Sequence, residues 1–440
     1  MIKFLTEFNQ LLWGNGLVLL LLGTGIFCMC CQNGQCLKSF ALLFRKQKIF
    51  QNSEKQKIPV FRSCMTSLAA AMGTGNIVGV ASALTLGGAG AIFWMWISAF
   101  CGMGLIYAEN VLSCHYRKEN YFGAAAYLKY GLKSPVLAGI FAVCCVLASF
   151  GMGNMTQSHA MAEILKASLH IPDWLTGLFS MIILYLIISG GSERISKFSA
   201  VMIPVLTGLY LLCIFIILFR YRENLPSVIS EIFRKAFDFK AVGGGMAGYA
   251  VSVGVRRGVF SNEAGLGSSG LLHGEADSQS PAFLGLCGML EVIADTFLCC
   301  TATAFAILST EALSSGTDGA VLVLYAFRKG IGTISDWLLP PIIALFAFCT
   351  LTGWSYCGLN ALKTLTSNLI ILKLYQILFC IGAFIGAVLK LELVWTLADI
   401  ANACMAYCNL PAIMLLFPQT KNAVLSAQHS VAITCNTGQI

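Results

Sequence analysis

The sequence predicts an all-α polytopic membrane protein of about eleven transmembrane helices, two repeats of five preceded by one extra N-terminal helix. Three observations lead there. The 440 residues are 57% hydrophobic and 11% charged, with a mean hydropathy of +0.78, whereas a soluble domain carries about 25% charged residues. Apolar runs long enough to span a bilayer recur from end to end. Two of these runs, five apart in order, are interrupted at mid-depth by glycines and polar residues, the pattern of helices unwound around a transport site.

The runs lie at about 12–31, 64–85, 89–113, 135–165, 174–190, 198–219, 245–271, 281–309, 337–360, 368–389 and 392–417. Lys38, Arg45, Lys46, Lys48, Lys55, Lys57 and Arg62 fall in the loop after the first run, which marks it as cytoplasmic and puts the N-terminus outside. The first run shows no cleavage pattern and is read as retained. Loops 114–134 and 191–197 then lie inside, and both are basic. Loop 220–244 lies outside despite Arg220, Arg222, Arg234, Lys235 and Lys240, partly offset by Glu223, Glu231 and Asp238. The short apolar stretch 319–330 is expected as a helix in an external loop. The division is 1–63 for the extra helix and basic loop, 64–219 for the first repeat and 220–244 for the external loop. The second repeat is 245–418, and 419–440 is a cytoplasmic tail.

The net charge of +8 suggests nucleic acid, but its confinement to loops argues for topology instead. The 19 cysteines lie mostly in apolar runs and read as small hydrophobes. Cys28, Cys30, Cys31 and Cys36 fit no zinc spacing. There is no phosphate-binding loop, so ATP-driven transport is not expected, and Gly243–Gly245 lacks the context of a dinucleotide site. Neither a His-Glu-x-x-His pair nor a Gly-x-Ser-x-Gly elbow supports an intramembrane enzyme. A channel would need a continuous pore, where broken helices around a closed site imply saturable flux.

The interruptions are Met72-Gly73-Thr74-Gly75-Asn76 in the second run and the stretch Gly254–Gly267 in the seventh. Close helix packing accounts for Gly102, Gly104 and Gly139. It does not account for Asn76, or for Asn262-Glu263 beside Arg256 and Arg257. Unwound backbone at that depth must line a cavity or be buried in protein.

These residues carry a resemblance. Gly73–Ala81, followed by Gly87-Gly88-Ala89-Gly90-Ala91-Ile92-Phe93-Trp94-Met95-Trp96, resembles the signature of the alanine or glycine:cation symporter family. Arg257–Gly267 is similar to its second signature, and Gly151–Ser158 and Gly353–Gly358 also fit. The likeness runs from about residue 12 to 418 and implies the leucine-transporter-like fold of two inverted five-helix repeats. It implies a small amino acid substrate, such as alanine, glycine or D-alanine, and a sodium ion carried with it. No cofactor, nucleic acid or obligate protein partner is expected, and the setting is a bacterial-type inner membrane.

By that resemblance, backbone N–H groups at Thr74, Gly75 and Asn76 hold the substrate carboxylate, as a half-helix N-terminus would. Phe260, Ser261 and Asn262 face them from the second interruption. Phe260 closes the pocket or is a lipid-facing side chain. Gln157 lines the pocket or ties helices together. Trp354 limits substrate size. Sodium is expected at the carbonyls of Ala69 and Met72, with Thr350. Cys349-Thr350 stands where the family usually has two hydroxyl residues, and a thiol is a poor ligand for a hard cation. Proton coupling is therefore the alternative. Glu291 and Asp295, on one face at i,i+4, are expected to pair with Arg256 and Arg257, as a gate or as a structural ion pair.

Overall fold

The computed structural model describes residues 2–31, 59–118, 121–237, 245–274, 281–389 and 392–436. Lys38 to Lys57 of the basic loop, together with Cys36, Asp238, Lys240 and Gly243–Gly244, lie outside them. Among the described residues the chain is all helical apart from one isolated bridge between Lys118 and Tyr121.

In chain order the main helices are α1 (Ile2–Leu12), α2 (Asn15–Cys31), α3 (Val60–Ala71), α4 (Val78–Gly87), α5 (Gly90–Tyr116), α6 (Pro135–Phe150) and α7 (Thr156–Leu169). They continue as α8 (Asp173–Ile188), α9 (Gly191–Arg220), α10 (Leu225–Ala236), α11 (Gly245–Asn262), α12 (Ser269–Leu272) and α13 (Pro281–Val292). The last are α14 (Thr301–Ser309), α15 (Gly319–Ile331), α16 (Ser335–Lys363), α17 (Leu369–Val388) and α18 (Glu392–Asn436). Each of the eleven expected runs has its helix. Eight described helices are long and apolar enough to cross a bilayer, and α3 with α4 forms a bent ninth. The other two runs are α8, which is only 16 residues long, and α11, whose glycines and arginines lower its hydropathy.

Local chemistry sets many boundaries. Ser134 caps α6 by accepting the Leu137 N–H at 3.3 Å, with Pro135 in the first turn. Asn368 caps α17 and Asp318 caps α15 in the same way. The stretch expected as a loop helix at 319–330 is α15, which packs between α4, α7 and α16. Several limits shift. The first run begins earlier, as α1, the sixth begins at Gly191, so that 191–197 is helix rather than loop, and the last continues as helix to Asn436 rather than ending at 417.

The surface is apolar where a soluble protein's would be polar. Leu212, Phe215 and Phe219 on α9 and Ile370, Leu374 and Ile377 on α17 are exposed, as lipid contact requires. At the centre the opposite holds. Every residue of α16 from Phe346 to Gly358 is buried, so this helix is enclosed by protein on all sides. Small residues allow α2 and α5 to touch. A Cβ on Gly25 would sit 2.6 Å from that of Cys101, and one on Gly104 2.8 Å from Met29 Cγ. Gly102 abuts Ala264 similarly. Gly139 is a correction: a Cβ there would meet nothing within 4 Å, so close packing does not explain it.

Candidate functional site

The second run breaks where its glycines and Asn76 stand. Helix α3 ends at Ala71, Met72 leaves helical geometry (φ −78°, ψ 77°), and the chain resumes through a single tight turn, Thr74–Asn76, into α4 at an angle of 54°. The Gly73 N–H turns back to the Ala71 carbonyl at 2.9 Å. The Ala69 carbonyl instead accepts the Thr350 hydroxyl of α16 at 3.0 Å. Gly73 is glycine for want of space. A Cβ there would lie 2.1 Å from Thr350 Oγ1 and 2.9 Å from Gln157 Oε1.

Gln157 opens α7, just after a π-helical turn at Gly151–Met155. Its Oε1 accepts both the Thr74 N–H (3.1 Å) and the Thr74 hydroxyl (2.8 Å). Its Nε2 donates to the Met152 carbonyl at 3.1 Å. The Gln157 amide oxygen therefore takes the Thr74 donors of the break, as a carboxylate ligand would.

The seventh run breaks at Glu263–Ser268, between α11 and α12. Glu263, Gly265 and Gly267 all have positive φ (57°, 91° and 77°). For glutamate that backbone is strained, and it persists where its surroundings hold it. Here they do: the Glu263 carboxylate accepts the Ser268 hydroxyl at 2.6 Å and the Trp354 indole N–H at 2.8 Å. Glu109, buried on α5, accepts the Gly267 N–H and the Asn409 amide, and Asn409 also donates to the Gly265 carbonyl. Glu109 and Asn409 were not anticipated, although a glutamate inside an apolar run is itself a signal.

The first break faces the last turn of α11: a Cβ on Gly75 would lie 3.5 Å from Ser261 Cα and 3.7 Å from the Phe260 ring. Phe260, Ser261 and Asn262 are still helical and precede the second break, a correction to their expected place within it. Between the first break and α11 sits Asp295, on the π-helical segment Ile293–Cys300 that joins α13 to α14. It accepts the hydroxyls of Ser261 and Thr296, each at 2.8 Å, and the side-chain amide of Asn76. Asn262 donates to Thr296 Oγ1 at 3.1 Å. Thr74, Gly75, Asn76, Gln157, Phe260, Ser261 and Asn262 are thus all buried around one locus.

Several expectations need correction. The acidic residues do not pair with the arginines. Arg256 forms an ion pair with Asp399 of α18, and Arg257 lies over the rings of Trp395 and Phe260 at 5.4 and 6.0 Å. Glu291 pairs with His273 at 2.8 Å and accepts Ser67 and Ser269. The reason is the break itself: the arginines precede it on α11, while Glu291 packs beside α12, beyond it. Phe260 is buried, which rules out a lipid-facing side chain, and its ring partner is Trp395 at 5.3 Å rather than Trp354. Trp354 is fully buried against Gly153, where a Cβ would lie 2.2 Å from the indole Cγ. Cys349 is buried with Ala69 and Met72 in an apolar cluster, one residue from Thr350.

A cavity of about 520 Å³ is lined by Val78, His159, Glu163, Arg257, Asp318 and Trp395. Among the described residues no group of three or more His, Cys, Asp or Glu is placed to hold a metal.

Comparison with known proteins identifies the family. The profile of the "Sodium:alanine symporter family" matches residues 1–431. The chain is 35% identical over 430 residues to the sodium/alanine symporter AgcS of Methanococcus maripaludis, covering 94% of each chain. It is 36% identical over 417 residues to GlnT of Bacillus subtilis, named a probable sodium/glutamine symporter, covering 93% of this chain and 87% of that one. Among solved structures, a Na⁺-coupled sialic acid symporter superposes with a TM-score of 0.55 at 14% identity, covering 92% of this chain and 86% of that one. That likeness bears on the fold alone, which is the leucine-transporter-like one. Two broken spans, the matched profile and the relatives lead to one conclusion: the chain belongs to the sodium:alanine symporter family of multi-pass membrane transporters.

Proposed function

We propose that the chain is a secondary active symporter, not an enzyme, that imports a small neutral amino acid with sodium by alternating access across a bacterial-type inner membrane. Alanine, glycine and D-alanine are the candidate substrates. The observation that carries this reading is the meeting of the first break with the end of α11, just before the second break, with Gly75 against Ser261 and Gln157 on the Thr74 N–H. Paired interruptions offer amide donors to a carboxylate and free carbonyls to a hard cation. Relatives named as sodium/alanine and sodium/glutamine symporters support the substrate class and the ion.

In this reading the substrate carboxylate takes the amides at Thr74–Asn76, displacing Gln157 Oε1. The side chain lies toward Phe260 and Trp354, and sodium sits at the carbonyls of Ala69 and Met72 with Thr350. The cavity lined by Arg257, Glu163 and Asp318 is the vestibule on the external side. Cys349 favours one second reading, a proton-coupled carrier, because sulfur stands where the family resemblance puts an oxygen ligand.

The test is uptake of radiolabelled alanine into proteoliposomes under imposed sodium or proton gradients, with both alanine enantiomers and glycine as competitors. Saturable, sodium-driven uptake is expected. Uptake that ignores sodium and follows a pH gradient replaces the ion, and unsaturable flux removes the symporter.

A further inference from the structure

A further cavity, of about 310 Å³, lies between α7, α8, α9 and α16, and none of its lining residues belongs to either break. Its inner wall is buried: Met161, Thr176, Ser180 and Phe348 are each at most 6% exposed. Its rim is not. Phe179, Ile183 and Leu345 line it too and are exposed, so the cavity is continuous with the apolar surface that faces lipid. Water does not fill such a space, because it needs several polar partners. In a bilayer, hydrocarbon is what enters from the side.

Polar groups gather at one end. Leu165 and Ile171 line the cavity there, and beside them Lys166 pairs with Asp173 at the surface, at 2.7 Å. Trp174 follows, exposed in the first turn of α8, where an interfacial anchor belongs. From that level Leu175, Phe179 and Ile183 run down one face of α8 at i, i+4 and i+8, about 12 Å of helix. Thr176 stands one turn below Asp173. Its hydroxyl is buried and has no hydrogen-bond partner among the described residues. Ser180, a turn further on, is already spent on the Thr176 carbonyl at 2.7 Å. An unpaired buried hydroxyl in an apolar wall marks a missing acceptor.

We propose that this groove is a phospholipid site. One acyl chain lies along α8, its ester carbonyl accepts the Thr176 hydroxyl, and a zwitterionic headgroup meets the Lys166–Asp173 pair, phosphate to lysine and ammonium to aspartate. The order of groups down the groove is the order of groups in the lipid: charge, ester, hydrocarbon. A second copy of the chain fits less well. A helix is about 10 Å across and would rest on the rim, whereas an acyl chain is thin enough to reach Met161 and Phe348. Phe348 forms the floor, edge-on to Phe198 at 6.0 Å, in the enclosed stretch of α16. The lipid therefore backs that helix from the bilayer side.

The experiment places the full-length protein in vesicles of phosphatidylethanolamine and phosphatidylglycerol. The probe is a phosphatidylethanolamine with a diazirine in its acyl chain, and labelled peptides are mapped by mass spectrometry after illumination. Label on buried Met161 and Phe348 is expected. In Ala344→Phe, which fills the groove, that label should fall about tenfold, while label on exposed Leu212 and Phe215 of α9 persists. In Thr176→Val, which keeps the shape and removes the donor, it should fall about threefold, the worth of one hydrogen bond. The wild-type measurement needs no folded variant, and wild-type label confined to the rim at Phe179, Ile183 and Leu345 overturns the proposal, because ordinary surrounding lipid reaches those. Absence of label from rim and floor alike, with α9 labelled, means that another copy covers the groove and overturns it too. So does label at Met161 and Phe348 that neither variant changes.

Discussion

At the scale of single residues the decisive feature is space. Gly73 has an ordinary negative φ of −122°, so it is not glycine for backbone freedom. It is glycine because Thr350 and Gln157 press on it from two other helices. Gly73→Ala should push these apart and abolish alanine uptake, with purified protein still monodisperse. Gly139→Ala is the control: its Cβ would meet nothing within 4 Å, so uptake should stay unchanged and stability should rise by about 0.4–1 kcal/mol. Normal uptake by Gly73→Ala would show that the contact is not needed. Trp354 gives a second residue-scale prediction. It is fully buried, and its indole N–H holds the carboxylate of strained Glu263. Trp354→Ala should cost about 3–5 kcal/mol, read as a lower melting temperature. It should also admit larger neutral amino acids as competitors for uptake, because a pocket discriminates by only about 1–3 kcal/mol per methylene unless it clashes. An unchanged competition profile removes Trp354 from the size filter.

At the scale of elements, what the sequence disclosed depended on whether the signal was local. The break in α3–α4 was legible because Gly73, Gly75 and Asn76 are wrong for an uninterrupted helix in lipid. The break after α11 was legible as a region, but its position at Glu263–Ser268 was not, since the glycines extend on both sides of it. Asp295 was noticed as a charge in an apolar run, yet its partners were misassigned. Pairing it with the arginines rested on opposite charge alone, whereas its actual partner on α11 is Ser261, four residues beyond Arg257, and Asn76 joins it from the first break. Trp395 carried no signal at all, standing in an ordinary apolar run. Arg256 and Asp399 illustrate the same limit, because they tie α11 to α18 across 143 residues. Both are largely buried, with side chains 27% and 11% exposed. Arg256→Gln or Asp399→Asn alone should therefore destabilise by about 3 kcal/mol, since each strands its partner. The double variant should recover part of that loss. Strictly additive melting shifts in the cycle would mean that the pair contributes no coupling.

At the scale of the whole molecule the question is which ion drives the cycle, because that sets the direction of net transport. The Thr350 hydroxyl and the Ala69 carbonyl lie 3.0 Å apart, joining the enclosed helix α16 to α3, the first half of the broken span. An ion placed there would couple the two bodies whose relative movement opens and closes the site. In the absence of an ion the hydroxyl donates to that carbonyl. With sodium present it must turn and offer a lone pair instead, so ion binding replaces one interhelical bond by a stronger one. On the proposed sodium site, Thr350→Ala would remove an oxygen ligand worth about 1.5–3 kcal/mol in a charge-assisted contact. It should weaken apparent sodium affinity by roughly tenfold or more. Cys349→Ser acts in the opposite direction. The thiol is buried beside Thr350 among Ala69 and Met72, and a hydroxyl in its place gives a hard cation the oxygen that sulfur denies it. Sodium-dependent uptake with weak apparent affinity in wild type, strengthened in Cys349→Ser and weakened in Thr350→Ala, is the expected pattern. Uptake that follows a pH gradient and ignores sodium in both wild type and Cys349→Ser makes the chain a proton-coupled carrier. The buried carboxylates Glu263 and Asp295 are then the groups whose Gln and Asn variants should stop proton-driven flux.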